Sequence, residues 1–316
     1  MNTVTAPLFS PASEWSGRND GPGPEHARWH SSIDTASSPT ADAVHLIGFA
    51  SDEGVERNGG RQGAAQGPAA LRAALGSLAV HEPRKLIDAG TVTTQDDDLE
   101  TAQREVSDRV RDLVAAQGPA GMTVVLGGGH ETSFATHRGA YEALGPMQVI
   151  NFDAHFDLRT ADRPTSGTPF RQIAELVGDD FDYSVFGISR PNNTKVLFDT
   201  AEQLGVTTVL DTELAAMTVR EAAERALAAV EGDLPIHLSI DLDVLPAAVA
   251  PGVSAPAGFG VDYAALRAMV AAVASTGRVA LLDVVELNPE FDVDNRTAKA
   301  AARLIDDAVV GATGRR

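Results

Sequence analysis

From residue 43 onward, short β-branched and apolar runs alternate with longer, amphipathic, alanine-rich stretches. The runs predict strands at 44–49, 85–88, 123–126, 148–152, 183–188, 207–210, 236–240 and 279–284. Several are apolar almost throughout, as in strands buried on both faces of a parallel sheet, which leave no face for polar residues. Between the strands, Pro68 suits the first turn of a helix, where its missing N–H costs nothing, and Leu71, Leu75 and Leu78 follow at helical spacing. Thr218 and Glu221 form a capping box opening a second helix, on which Val219, Ala223, Ala226, Leu227 and Val230 share a face. Asp96, Asp97 and Asp98 open a third, solvated helix. Strand–helix alternation of this kind predicts an α/β fold with helices on both sides of a parallel sheet, and such sheets place ligands beyond the carboxyl ends of their strands.

Residues 1–42 follow another pattern. Pro7, Pro11, Pro22, Pro24 and Pro39 are scattered among Ser, Thr, Gly and charges, which predicts an irregular extension anchored on the domain by Phe9, Trp15 and Trp29. The remainder, 43–316, is expected to be one domain. At 316 residues, about three quarters of the unfolded chain's surface can be buried, so one large core needs no covalent staples. The 44 acidic and 25 basic side chains give a net charge of −19, and Lys occurs only at 85, 195 and 299. A chain this acidic lacks the cations that nucleic acids and anionic membranes require. No apolar run approaches the roughly 20 residues of a membrane span, and residues 1–28 lack the basic and apolar regions of an export signal. Cysteine is absent, which removes thiol nucleophiles and thiolate ligands, fits a cytoplasmic location, and leaves any metal to oxygen and imidazole donors.

Three segments carry chemistry, and each follows a predicted strand: Gly127-Gly128-Gly129-His130-Glu131, Asp153-Ala154-His155-Phe156-Asp157, and Ser239-Ile240-Asp241-Leu242-Asp243. In an extended chain, residues two apart point the same way, so Asp153, His155 and Asp157 converge while Ala154 and Phe156 face the packed side. Asp241 and Asp243 repeat the arrangement. With His130 the set is four carboxylates and two imidazoles, too acidic to stand in a cleft without cations. Oxygen-rich ligands with two imidazoles fit Mn2+ best, with Zn2+, Fe2+ and Co2+ also compatible. Six ligands exceed the needs of one tetrahedral ion and suggest two ions about 3.5–4 Å apart that activate a shared water. His26, His30, His45, His81, His137 and His237 have no comparable context and read as surface or core residues. Gly59-Gly60-Arg61-Gln62-Gly63 lacks the Gly-Lys-Ser/Thr of a phosphate loop and reads as a flexible loop over the site mouth.

These three motifs, together with Asp283-Val284-Val285-Glu286-Leu287-Asn288-Pro289, resemble the arginase and agmatinase superfamily of binuclear manganese hydrolases, from about residue 43 to the C-terminus. The resemblance implies a three-layer α/β/α sandwich with an eight-stranded parallel sheet, assembled as a homo-oligomer, a trimer or hexamer. It makes His130, Asp153, Asp157 and Asp241 ligands of one Mn2+, and Asp153, His155, Asp241 and Asp243 ligands of the other, with Asp153 and Asp241 bridging. Within the superfamily, the chain looks most like the formimidoylglutamases, which hydrolyse N-formimidoyl-L-glutamate to L-glutamate and formamide in histidine degradation. The stretches that carry this are Gly48-Phe49-Ala50-Ser51-Asp52-Glu53-Gly54-Val55, the second metal motif continued through Leu158-Arg159, Ser166-Gly167-Thr168-Pro169-Phe170, and Asp241 to Pro246 continuing to Ala255-Pro256.

Departures from guanidine-cleaving members point the same way. Phe170 is aligned with the histidine that arginases carry after the second motif, and Ser166 with that of agmatinases. Ala265 falls where both groups place a Glu for the guanidinium. Two dications balance the four Asp ligands, and a bridging hydroxide leaves the cluster anionic, so a substrate with two carboxylates needs cations of the protein. Arg159 and Arg190 are best placed, with Asn192, Asn193 and Ser166 as further substrate contacts. The implied mechanism is attack of the metal-bridging hydroxide on the formimidoyl carbon. Asp157 or solvent would protonate the departing nitrogen, and Glu286 would be a second catalytic group. The competing expectations are a guanidino hydrolase releasing urea and a non-catalytic metal-binding scaffold.

Overall fold

The structure, a computed structural model, describes residues 7–313. Its centre is a sheet of ten strands: β1 (Phe9–Ser10), β2 (Ile33–Asp34), β3 (Val44–Ala50), β4 (Leu86–Thr93), β5 (Met122–Leu126), β6 (Gln148–Phe152), β7 (Asp182–Ile188), β8 (Thr207–Leu210), β9 (Ile236–Asp241) and β10 (Val279–Val285). The lateral order is β1-β4-β3-β5-β10-β9-β6-β7-β8, with β2 also paired to β4. Strands β3 to β10 are mutually parallel and correspond one for one to the eight runs read from the sequence. In β5, β6 and β9 every residue is buried, which explains their unbroken apolar character.

Two features depart from expectation at the β4 edge. Residues 7–42 are not merely irregular: β1 pairs antiparallel with β4 and β2 pairs parallel with it, and Trp29–Ser32 forms one helical turn. The three aromatic anchors do engage the domain. Trp29 is fully buried and its indole N–H donates to Asp306 (3.0 Å), Trp15 donates to Asp88 (2.8 Å), and the Arg109 guanidinium lies 3.3 Å from the centre of the Phe9 ring. The second departure is the length of β4, which continues past residue 88 to Thr93. Gly90 within it has a φ of +113°, and the Ser10 carbonyl of β1 comes within 2.4 Å of where a Cβ would stand.

Helices cover both faces. Leu71 and Leu75 of Gly67–Gly76, Ala222 and Ala226 of Val219–Leu227, Leu266 and Met269 of Tyr263–Ala274, and Leu304 and Ile305 of Arg296–Thr313 close one side of the core. On the other side, Val106 and Val110 of Leu99–Gln117 and Ala135 and Ala140 of Thr132–Leu144 pack beneath β3 and β5, and Phe170 and Ile173 of Pro169–Val177 beneath β6 and β7. The capping box at Thr218 and Glu221 is present, but the helix it opens is rotated from the predicted face. Ala222, Ala226 and Ala229 are buried, whereas Val219 and Leu227 are each 44% exposed. The buried alanines share one core cluster with Leu266, Met269 and Val270 of Tyr263–Ala274. Asp98 caps Leu99–Gln117, accepting from the Thr101 amide. Among the described residues no helix is long and apolar enough to cross a membrane.

This topology positions the chemistry. β9 and β10 come late in the chain but insert between β5 and β6, so the four central neighbours β5, β10, β9 and β6 deliver every motif segment to one end of the sheet.

Candidate metal centre

His130 follows β5, Asp153 to Asp157 follow β6, and Asp241 closes β9. The glycines before His130 are required by close approach: a Cβ on Gly128 would stand 1.8 Å from the Ser51 carbonyl oxygen, and one on Gly129 2.1 Å from Glu131 Oε2. Glu131, which closes the first motif and was assigned no role there, is a buried brace that accepts from Ser51 Oγ (2.9 Å) and the Gly54 amide (3.0 Å). Burial and the nearby Glu286 charge push its carboxyl up to about 8.

The convergence of Asp153 with His155, and of Asp241 with Asp243, does not come from an extended chain. Both segments turn just past their strands. Asp153 Oδ1 accepts from the His155 amide (2.6 Å) and Asp241 Oδ1 from the Asp243 amide (2.8 Å), so each aspartate caps the residue two positions on. Ala154 and Phe156 do face the packed side, both buried. Asp157 and Glu286 have left-handed backbones, with φ of +48° and +67°. For a Glu this conformation is uncommon, and such strain, about 1–3 kcal/mol, persists only where surrounding contacts enforce it. Glu286 is held by its own amide, which donates to Gly128 O (2.7 Å), and by the His130 amide, which donates to its Oε1 (2.8 Å).

Two overlapping groups of ligand atoms result. His130, Asp153, Asp157 and Asp241 form one, and Asp153, His155 and Asp243 the other, with all atoms of each group within 4.8 Å of one another. Asp153 belongs to both. Asp241 closes the first group, and like Asp153 it has one oxygen held by the amide two positions on, the Asp243 amide in its case. His130 Nδ1 lies 3.2, 3.0 and 3.0 Å from oxygens of Asp153, Asp157 and Asp241, yet is left without a well-formed hydrogen bond to any of them. A buried nitrogen aimed between three carboxylates is the environment a divalent cation satisfies.

The electrostatics agree. Burial alone would depress His130, but the three carboxylates outweigh it and raise the imidazole well above its ordinary range. Asp243 drives His155 up to about 11, against burial. Burial and the neighbouring Asp153 raise Asp157, and burial with Asp243 raises Asp241 well above the usual carboxylate range. Asp153 goes the other way: burial would raise it, but His130 and His155 outweigh this and lower it, so the protons sit on the imidazoles, Asp157 and Asp241, where metal cations would replace them. All its donors are oxygen or imidazole nitrogen, and the chain has no cysteine.

Above the cluster lies a cavity of about 320 Å³. His155, Asp157, Asp241 and Asp243 make its floor, and Asn58, Arg61, Arg159, Ser166, Ser254 and Glu286 its walls. A larger hollow of about 600 Å³, lined by Val114, Leu144, Arg278 and neighbours, contains no such cluster, so size does not mark the site. Among the described residues the Arg159 side chain has no acidic partner; its stem lies against Gly167, where a Cβ would come 2.7 Å from Arg159 Cδ. Arg61 was not expected here. Its guanidinium donates to the Ser254 and Val253 carbonyls (3.2 and 2.5 Å) and stacks 3.9 Å from the centre of the Phe291 ring, with no carboxylate partner among the described residues. The glycine-rich loop does border the mouth, but it is pinned, with Asn288 Nδ2 donating to Arg61 O and Gln62 O (3.1 and 2.8 Å).

Other expected contacts are not brought together. Arg190 and Asn192 are exposed on a short turn outside the cavity lining, and the buried Asn193 spends its amide on the Ala154 and Ser189 carbonyls and accepts from the Phe156 amide. Phe170 is fully buried, edge-on to His130 and stacked on Tyr183, so the cavity-facing position in that stretch is Ser166, whose Oγ accepts from Asn58 Nδ2 (3.1 Å). Ala265 is buried in the core on Tyr263–Ala274. Among the wall residues the acid is Glu286, its carboxyl pushed up to about 7 by burial, so position 265 is not where an acid for an amidine would stand.

Comparison with known proteins supplies the remaining context. The arginase family profile matches residues 42–311. A formimidoylglutamase of Corynebacterium efficiens is 49% identical over 296 residues, covering 93% of each chain. The crystal structure of Trypanosoma cruzi formiminoglutamase with Mn2+ superposes with a TM-score of 0.78 at 30% identity, covering 87% of this chain and 95% of that one. A proclavaminate amidino hydrolase from Streptomyces clavuligerus superposes with a TM-score of 0.77 at 26% identity, covering 90% of this chain and 95% of that one.

Proposed function

This chain belongs to the arginase family, and on that premise we propose that it hydrolyses N-formimidoyl-L-glutamate to L-glutamate and formamide with two Mn2+ ions. The observation that carries the reading is the pair of ligand groups sharing Asp153 at the foot of a cavity whose walls hold two guanidinium groups with no acidic partner. His130, Asp153, Asp157 and Asp241 would hold one ion, and Asp153, His155 and Asp243 the other, with Asp241 as a second aspartate between them. Two such ions, when bound, supply Lewis acidity and a water made acidic enough to attack near neutral pH.

The chain's own residues do the rest. A formimidoyl group is an amidine and is cationic near neutral pH, so Glu286 on the wall offers it an anionic partner. Ser254 donates to one oxygen of Glu286 and the His130 amide to the other, which fixes the direction in which the carboxylate faces. The substrate's two carboxylates call for two cations. Arg159 and Arg61 provide them from different loops, and Arg61 is pre-oriented by the carbonyls it already binds. Asn58 and Ser166 complete a polar wall between them. Asp157, which faces the cavity, is placed to pass a proton from solvent to the departing glutamate nitrogen. A homo-oligomer, trimer or hexamer, and a cytoplasmic location belong to the same proposal, supported by the family and by the cysteine-free, acidic composition.

A product assay tests the reading. The Mn2+-loaded protein is offered N-formimidoyl-L-glutamate, arginine, agmatine and a guanidino acid. Formamide and glutamate are expected from the first, with no urea from the others. Urea release would instead make the protein a guanidino hydrolase, an outcome that Glu286 and the likeness to the amidino hydrolase keep chemically open.

A further inference from the structure

On the core side of the cluster, a chain of hydrogen bonds runs from the outer nitrogen of His130 to a buried carboxylate. His130 Nε2 lies 3.1 Å from Ser239 Oγ, Ser239 Oγ lies 3.2 Å from Ser133 Oγ, and Ser133 Oγ donates to Asp283 Oδ1 at 3.1 Å. Thr136 Oγ1 donates to Asp283 Oδ2 (2.7 Å), and His237 Nε2 lies 2.8 Å from the same oxygen. Behind it, His137 Nδ1 meets His237 Nδ1 at 3.2 Å. All of these side chains are at most 1% exposed. None of Ser133, Thr136, His137, His237 and Asp283 lines the cavity.

The direction of the chain follows from what each group can do. A carboxylate only accepts hydrogen bonds, so the Ser133 hydrogen points to Asp283. The Ser133 oxygen is then the acceptor for Ser239, and the Ser239 oxygen the acceptor for His130. That places the His130 proton on Nε2 and leaves the Nδ1 lone pair facing Asp153, Asp157 and Asp241. Asp283 qualifies as the fixed acceptor. Burial would raise its carboxyl, but His237 beside it outweighs this and holds it down at about 2. His137, depressed far below its ordinary value by burial, adds no competing charge.

We propose that Asp283 is a positioning residue that fixes the tautomer of His130 through Ser133 and Ser239, with Thr136 and His237 holding the carboxylate's other oxygen. The inference rests on the reading that the cluster binds two divalent ions. Partners of this kind orient a ligand and raise its basicity, and their loss typically weakens metal binding by about 10–100-fold. Asp283→Asn is expected to be worse than a simple deletion. An amide presents a donor to Ser133, which reverses both hydroxyls and drives the His130 proton onto Nδ1, where the ion must bind.

Titration of the metal-free full chain with Mn2+, read by electron paramagnetic resonance against a competing chelator, is the test. Wild type is expected to bind two ions; failure there overturns the metal reading itself. Ser239→Ala is expected to weaken the ion held by His130 about tenfold and to leave the ion held by His155 and Asp243 unchanged, and Asp283→Asn to weaken the first more strongly. The melting temperature of metal-free Ser239→Ala should match wild type, which separates a lost tautomer from a loosened core. A folded Ser239→Ala chain with wild-type affinity for both ions, or one weakened equally at both, overturns the proposal even if Asp283→Asn fails to fold.

Discussion

The floor and the walls of the cavity are built to different rules. In the ligand cluster of the floor, His130, Asp153, Asp157, Asp241 and Asp243 are each at most 8% exposed, His155 is part-buried, and all lie at or just beyond the ends of central strands. Their backbones are set by Asx-type caps, by a left-handed Asp157, and by glycines that no other residue could replace. On the walls, Arg61 and Arg159 come from loops, and their long side chains reach inward. Metal ligation tolerates errors of only about 0.2 Å, so ligands belong on rigid elements. Recognition of a carboxylate by a guanidinium accepts more slack, and loops suffice.

The comparison predicts a steep order of mutational effects. Asp153→Ala removes the oxygen donor common to both ligand groups, so turnover should fall by at least about 10³-fold, with bound Mn2+ dropping from two towards none. Metal analysis and rate measured on one preparation check this; two retained ions would erase the distinction between floor and wall. Glu286→Gln keeps the wall's shape but removes its anion. A charged hydrogen bond contributes about 1.5–3 kcal/mol, so kcat/KM should fall roughly 10–100-fold while Mn2+ content stays at two. Arg159→Ala touches the wall alone, and KM for formimidoylglutamate should rise about tenfold with kcat and metal content close to wild type. An unchanged KM would remove Arg159 from substrate recognition and leave Arg61 as the only cation there.

Legibility in the sequence followed the same division. All eight parallel strands could be read because each is a short apolar run whose character is set by its own burial. The helix Val219–Leu227 was legible in its cap, a matter of residues three apart, but not in its buried face, which depends on how closely another helix approaches. The floor residues could be read because carboxylates and imidazoles two positions apart after apolar runs are chemically conspicuous. Arg61, Asn58 and Ser254 could not, since nothing local distinguishes a loop arginine at a cavity from one in solvent. For His237 a signal did exist: residues 237, 239 and 241 alternate along β9 with apolar 236, 238 and 240, so His237 shares a side of the strand with Ser239 and Asp241.

Sequence sufficed for which elements form and for the carboxylates and imidazoles of the ligand cluster, because both depend on near neighbours: apolar periodicity, caps, and the donor atoms a residue owns. Only the tertiary structure decided that β9 and β10 lie between β5 and β6, that Glu286 and not residue 265 faces the cavity, and that Ser239 meets His130 across 109 residues of chain. Those outcomes depend on burying entire helix and sheet faces against one another. That energy is shared over the whole core, and no local stretch of sequence contains it.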